Sequence, residues 1–172
     1  ARFVVNKSLI TKPAMSDLEF IDFEFIGTLE AFNTDGLRTL LRTMNIPNMK
    51  EKTLRYPGHI ELMKAFQRAG FFDSKEIEIN GKLIRPIEFT NKLLFNQWKL
   101  HKDEEEFTVM KIIIDGIENG KPKQYIYNLF DKYDSKTTTS SMARTTGYTA
   151  TAVANLVLNG KLQKKGICPP EY

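Results

Sequence analysis

Twice along this chain an Asn-Gly pair interrupts β-prone sequence, and each occurrence points to a tight antiparallel hairpin. Asn80-Gly81 stands between residues 76–79 and 82–84, and Asn119-Gly120 lies in the connection between 107–114 and 125–130. Both central residues of a type I′ turn need positive φ, which Asn and Gly adopt with least strain. A third hairpin is expected where 3–5 and 9–11 flank Asn6-Lys7-Ser8. That triplet also matches a glycosylation acceptor, but the stretch before it carries no basic-then-apolar leader, so the turn reading is preferred.

Between the hairpins, strand-like runs hand over to helical stripes. Residues 20–25 and 28–32 read as strands ending at Asn33-Thr34-Asp35-Gly36. Leu37, Leu40, Leu41 and Met44 then recur at helical spacing, with Asp35 or Thr34 placed to cap the helix. A short strand over 52–56 passes through Pro57-Gly58-His59 into a second helix with Leu62, Phe66 and Ala69 on one face and Gly70 as its stop. Pro86 opens a third helix bearing Ile87, Leu94, Phe95 and Trp98. The acidic run 103–106 reads as a solvated connection. The nearly unbroken apolar run 107–114 is the pattern of a strand covered on both faces. A last helix is expected over 141–159, with Ala152, Val153, Leu156 and Val157 buried and Gly160 ending it. This pattern predicts an α+β fold, a mixed and mostly antiparallel sheet with helices on one face, in a single domain spanning 1–172.

Composition narrows the function. The 172 residues are 41% apolar and 27% charged, enough for a globular core. No apolar run approaches the ~18 residues of a membrane helix, and a cytoplasmic location is expected. One cysteine, Cys168, and two histidines, His59 and His101, exclude a disulfide scaffold or a structural zinc cluster, and no metal site is expected. The net charge of +4 is spread along the chain, and aromatic residues do not alternate with basic ones as a nucleic-acid platform would, so neither nucleic acid nor membrane is expected as a partner. The ten glycines never form G-x-G-x-x-G or a Walker pattern, so no dinucleotide cradle is expected here. The chain opens on Ala1-Arg2-Phe3 within an apparent strand and stops just after a loop, which reads as a piece of a larger protein.

Three junctions concentrate polar groups. At Leu54-Arg55-Tyr56-Pro57-Gly58-His59, an arginine at a strand end offers a planar fork for a carboxylate, and the following helix start offers amides to the same anion. At 137–148, hydroxyls, Arg144 and Gly147-Tyr148 straddle the start of the last helix, a second place for an anion. Asn33-Thr34-Asp35-Gly36 lies at a strand's C-terminal end, where sheets often place ligands.

Read together, residues 30–37, 52–59 and 141–148, with Pro169-Pro170-Glu171-Tyr172, resemble the C-terminal domain of the saccharopine dehydrogenase family, which includes saccharopine reductase and lysine 6-dehydrogenase. The resemblance spans nearly the whole chain and is weakest over 73–121. It implies a substrate-binding and dimerisation domain of an oxidoreductase of lysine metabolism, oxidising a CH–NH bond of saccharopine or lysine with hydride passing to NAD or NADP. The cofactor would be held mainly by a Rossmann domain outside this fragment, and the fragment alone would be inactive. Arg55 is the implied partner of a substrate carboxylate, with Gly58 giving the backbone room to approach. Asn33, Thr34, Thr145 and Thr146 are implied contacts for the amino-acid end of the substrate, with Arg144 and Tyr148 as further contacts. His59 is the candidate proton acceptor, with Asp35 as the other group within the fragment. The implied partners are a small amino-acid substrate and a second copy in a homodimer. The competing reading is a non-catalytic self-association module of a multidomain protein.

Overall fold

The computed structural model describes residues 1–101 and 104–172, so the acidic connection expected over 103–106 lies partly outside the described residues. Two compact units are present, Ala1–Lys99 with Ile167–Tyr172, and Leu100–Gly166.

In the first unit, β1 (Arg2–Val5) and β2 (Ser8–Thr11) form the expected hairpin, but Ser8 joins β2, leaving a two-residue turn of Asn6 and Lys7, both at positive φ. Val4 exchanges backbone hydrogen bonds of 2.9 and 3.0 Å with Met49, tying this hairpin to the segment that precedes β5. Strands β3 (Glu19–Phe23), β4 (Gly27–Asn33) and β5 (Lys52–Arg55) form an antiparallel sheet with β4 in the middle. Flanked on both edges, β4 carries half of the buried residues described. Leu29, Ala31 and Phe32 are buried there, together with the polar Glu30 and Asn33.

The helix expected over 37–44 is reduced to the short α1 (Leu40–Thr43), and no side chain caps it. The residues assigned to that duty bond elsewhere. Asp35 holds the Arg2 guanidinium at 2.6 and 2.9 Å, and Thr34 turns to Glu51. Helix α2 (His59–Arg68) buries Ile60 rather than Leu62, which is largely exposed, and Gly70 at φ 82° follows its end. Strands β6 (Ile77–Ile79) and β7 (Lys82–Ile84) pair across Asn80 and Gly81, both at positive φ. Helix α3 (Pro86–Trp98) starts on its proline and buries Thr90, whose hydroxyl donates to the Phe71 carbonyl at 2.8 Å; Phe95 and Trp98 are exposed. The last residues rejoin this unit through Thr39, whose hydroxyl donates to Glu171 at 2.6 Å.

The second unit is a long ribbon and a helix. Strands β8 (Phe107–Glu118) and β9 (Lys121–Lys132) run past the apolar stretches that announce them, with Asn119 and Gly120 at φ 51° and 75° in the turn. The expectation that this pair is covered on both faces is not met. Ile112, Ile113, Ile114, Ile126 and Tyr127 are all exposed. Helix α4 (Ser141–Leu158) anchors at its first residue, where the buried Ser141 hydroxyl contacts Thr108 and Asp131. Its expected apolar stripe is also exposed at Val153, Leu156 and Val157.

The class is α+β, as the pattern predicts. Among the described residues, however, the strands form four small sheets with every named pairing antiparallel, rather than one mixed sheet with helices on a single face.

Candidate functional site

At the first junction, the chain's own groups saturate most of the donors. Asn33 is buried, with Nδ2 donating to Ser16 Oγ at 3.1 Å and Asp17 Oδ2 at 2.9 Å, while Oδ1 is buried with no partner among the described residues. The Thr34 hydroxyl lies 2.6 and 2.7 Å from the two Glu51 carboxylate oxygens and 2.8 Å from Thr53 Oγ1. The Gly36 amide donates to the same carboxylate at 2.9 Å. A Cβ at Gly36 would lie 2.4 Å from the Glu51 carboxyl carbon, so a side chain there would push that carboxylate aside.

The second junction follows the same logic. Gly58 adopts φ 96°, a conformation that favours glycine, and launches α2 directly above β4. From β4, the buried Glu30 carboxylate accepts from the Ile60 amide at 2.6 Å and from the Gly58 amide at 3.1 Å. The helix start expected to receive a ligand's carboxylate is thus already capped by the protein's own. The His59 ring stacks on Phe32 with centroids 6.3 Å apart. Burial holds its pKa below the ordinary histidine value, helped by the nearby Arg55 charge and opposed by Glu30. Arg55 itself is exposed, and its Nη1 donates to the Leu54 carbonyl at 2.7 Å.

Register decides which of these groups share a face. Pairing of Asn33 with Lys52, Phe32 with Thr53 and Glu30 with Arg55 puts Phe32, Glu30, Thr53 and Arg55 on one face of the sheet and Asn33 on the other. Thr34, in contact with Thr53, joins the Arg55 face, as does His59 through Phe32. Arg55, Thr34, Gly58 and His59 therefore belong together, while the Asn33 side chain points the other way and serves the 15–17 segment.

The remaining candidates belong to the second unit. Ser140 caps α4 by accepting from the Ala143 amide at 3.1 Å, and Glu106 accepts from the Met142 amide at 3.3 Å. Arg144 pairs with Asp131 at 3.3 Å, donates to the Lys132 carbonyl at 3.1 Å, and sits over the Tyr148 ring. Its hydrogen bond to Tyr148 and the Asp131 charge raise its pKa. Thr145 bonds back to the Ser141 carbonyl at 2.9 Å, and Thr146 and Tyr148 are exposed.

A shared feature unites the three junctions, and sequence reasoning missed it. A glutamate from elsewhere in the chain (Glu51, Glu30 or Glu106) occupies the donors of each. One signal was legible, since Glu30 is the lone charge inside the apolar run 28–32 of a strand. Such a residue needs a partner once that strand is central.

Over residues 1–172, its whole length, the chain matches the family model for the saccharopine dehydrogenase C-terminal domain. It belongs to that family. The saccharopine dehydrogenase C-terminal domain is an oxidoreductase-family domain associated with NAD(P) enzymes and lysine metabolism. The helix starts described above do not fit a dinucleotide, because a pyrophosphate at α2 or α4 would have to displace Glu30 or Glu106 from amides they already hold. Among the described residues, no cluster of His, Cys, Asp and Glu could hold a metal ion, and no helix is long and apolar enough to cross a membrane.

Proposed function

We propose that this domain binds the amino-acid substrate of a saccharopine dehydrogenase-like oxidoreductase, with Arg55 receiving a substrate carboxylate. The observation that supports this is the contrast at the second junction. Glu30 takes the helix amides, while the exposed Arg55 guanidinium donates to the carbonyl of its neighbour Leu54 and presents the rest of its fork to solvent. A bidentate contact from such a fork contributes roughly 1.5–3 kcal/mol, an order of magnitude or more in affinity.

The reaction in this reading oxidises a CH–NH bond of saccharopine or lysine, and hydride acceptance belongs to NAD(P) held outside these residues. This chain's part is to place the substrate and manage a proton. His59 is neutral near pH 7, because burial and the Arg55 charge both disfavour its imidazolium. Its ring nitrogen is therefore open to accept the amine proton, and stacking on Phe32 fixes the ring plane. Thr34 lies on the same face, a hydroxyl for the polar end of the substrate. The same reading places the domain in a homodimer and in the cytoplasm, where a lone cysteine such as Cys168 is at home.

Calorimetric titration of the chain with saccharopine, lysine and glutamate tests the proposal. Binding of one of these is expected, weakened about tenfold in Arg55→Ala. In the complete enzyme, the same change lowers kcat/KM by at least about tenfold and leaves cofactor affinity unaltered. Equal binding and kinetics for variant and parent remove Arg55 from the site. The exposed apolar ribbon of β8 and β9 favours a second reading, self-association without substrate binding. Absence of heat with every ligand, beside a stable dimer, selects it.

A further inference from the structure

Where β4 ends and β5 begins, Thr34, Glu51 and Thr53 share one hydrogen-bond network, and counting its protons fixes what it can still bind. The Glu51 carboxylate only accepts. Thr34 Oγ1 lies 2.7 and 2.6 Å from its two oxygens, so the single Thr34 hydroxyl proton is spent on Glu51. Thr53 Oγ1 lies 2.8 Å from Thr34 Oγ1 and 3.5 Å from Glu51 Oε1. Whichever of these oxygens takes the Thr53 proton, that proton too is turned inward, toward the carboxylate. Neither hydroxyl keeps a proton for a ligand. Both keep oxygen lone pairs, which become better acceptors when their own protons are donated along a chain that ends on a charge. A group docking here must therefore be a donor.

The next side chain on this face has the opposite preference. Thr53 and Arg55 alternate along β5 and lie on the same face, with Cα atoms about 7 Å apart by strand rise. Arg55 is exposed, and a guanidinium only donates. One strand thus carries negatively polarised acceptors beside a cationic donor, the complement of a zwitterion.

We propose that Thr34 and Thr53 accept from the α-ammonium group of an amino acid whose carboxylate lies on Arg55, with Glu51 as the positioning residue that turns both hydroxyl protons away and supplies the compensating charge. This deepens, and rests on, the reading that the domain binds an amino-acid substrate. It also says which nitrogen reacts. A nearby carboxylate favours the protonated amine, and a protonated nitrogen is a poor one to lose hydride beside, so in a diamino acid the α-nitrogen is sheltered and the distal nitrogen is left for oxidation.

Calorimetry near pH 7 with L-lysine and with 6-aminohexanoate, which keeps the carboxylate and the distal amine but lacks the α-amino group, tests this. The chain is expected to bind lysine about tenfold or more tighter. Thr53→Val removes the oxygen and abolishes that preference while leaving 6-aminohexanoate affinity within about twofold, and Thr53→Ser restores it. Glu51→Gln, whose amide donates to a threonine oxygen and releases a hydroxyl proton, weakens lysine alone by about tenfold. Damage to the fold would weaken both ligands alike, so the difference between them reads the hydrogen-bond chemistry. Equal affinity of the parent chain for the two ligands, or a preference unchanged in Thr53→Val and Glu51→Gln, overturns the ammonium site. Arg55→Ala weakens both ligands; if it does so where lysine has no advantage, the carboxylate contact stands without this site. A lysine preference that Thr53→Val abolishes while Arg55→Ala changes nothing keeps the ammonium site and removes Arg55. No binding of either ligand overturns both.

Discussion

Replacing Glu30 tests the central electrostatic feature of the first unit. Its carboxylate is 2% exposed and holds the Ile60 amide at 2.6 Å and the Gly58 amide at 3.1 Å. In Glu30→Ala the Ile60 amide is left buried without an acceptor, costing about 1.5–3 kcal/mol, while the exposed Gly58 amide turns to water and loses about 0.5 kcal/mol. The vacated side-chain volume adds to this, so a total near 3 kcal/mol is expected. Glu30→Gln keeps one acceptor but sets an NH2 group against the second amide, for a loss of about 1–2 kcal/mol. Urea unfolding followed by circular dichroism measures both. A second readout separates capping from simple packing. The Glu30 charge raises the His59 pKa, so Glu30→Gln moves the imidazole titration seen by NMR to still lower pH. Because the folded-state pKa of His59 lies below its unfolded value near 6.5, the unfolded chain takes up the proton first. Stability therefore falls as pH drops below about 6.5, and in Glu30→Gln that fall extends further into acid. Both variants within about 0.5 kcal/mol of the parent, with an unmoved His59 titration, would refute the capping argument.

Two further outcomes are expected. The Asp35 carboxyl is held at about 2, chiefly by its hydrogen bond from Arg2. Its stabilising effect is complete above the ordinary carboxylate range and is lost as pH falls toward that value, and carbon NMR of Arg2→Ala should show Asp35 titrating near 4. Gly36→Ala pushes the Glu51 carboxylate aside and weakens its contacts with Thr34 and the Gly36 amide; calorimetric melting should reveal a loss of about 0.5–1.5 kcal/mol.

What was legible in the sequence was local. Asn80-Gly81, Asn119-Gly120, the Pro86 helix start and the Gly70 stop depend on backbone preferences of the residues themselves, and the structure follows them. What was not legible depends on partners far away along the chain. Asp35 sits where a cap is expected, yet a guanidinium 33 positions earlier outcompetes a helix that is only four residues long. The apolar runs of β8 and α4 predict cover, but such runs report only that burial is favourable. They do not say which surface supplies it. The candidate site shows the same division. Arg55, Gly58 and His59 stand out in the sequence because they flank one turn, whereas Glu30 and Glu51 meet their partners at positions far along the chain. Asn33 was placed with Arg55 by order along the chain, and strand alternation then turns its side chain to the opposite face.

The three tethered glutamates have a consequence for ligand choice. An anion covalently part of the chain is not diluted, so the amides of Gly36, Gly58, Ile60 and Met142 are already occupied by the chain's own carboxylates. In the proposed reading, recognition of a substrate carboxylate is left to the Arg55 guanidinium, exposed at the end of β5.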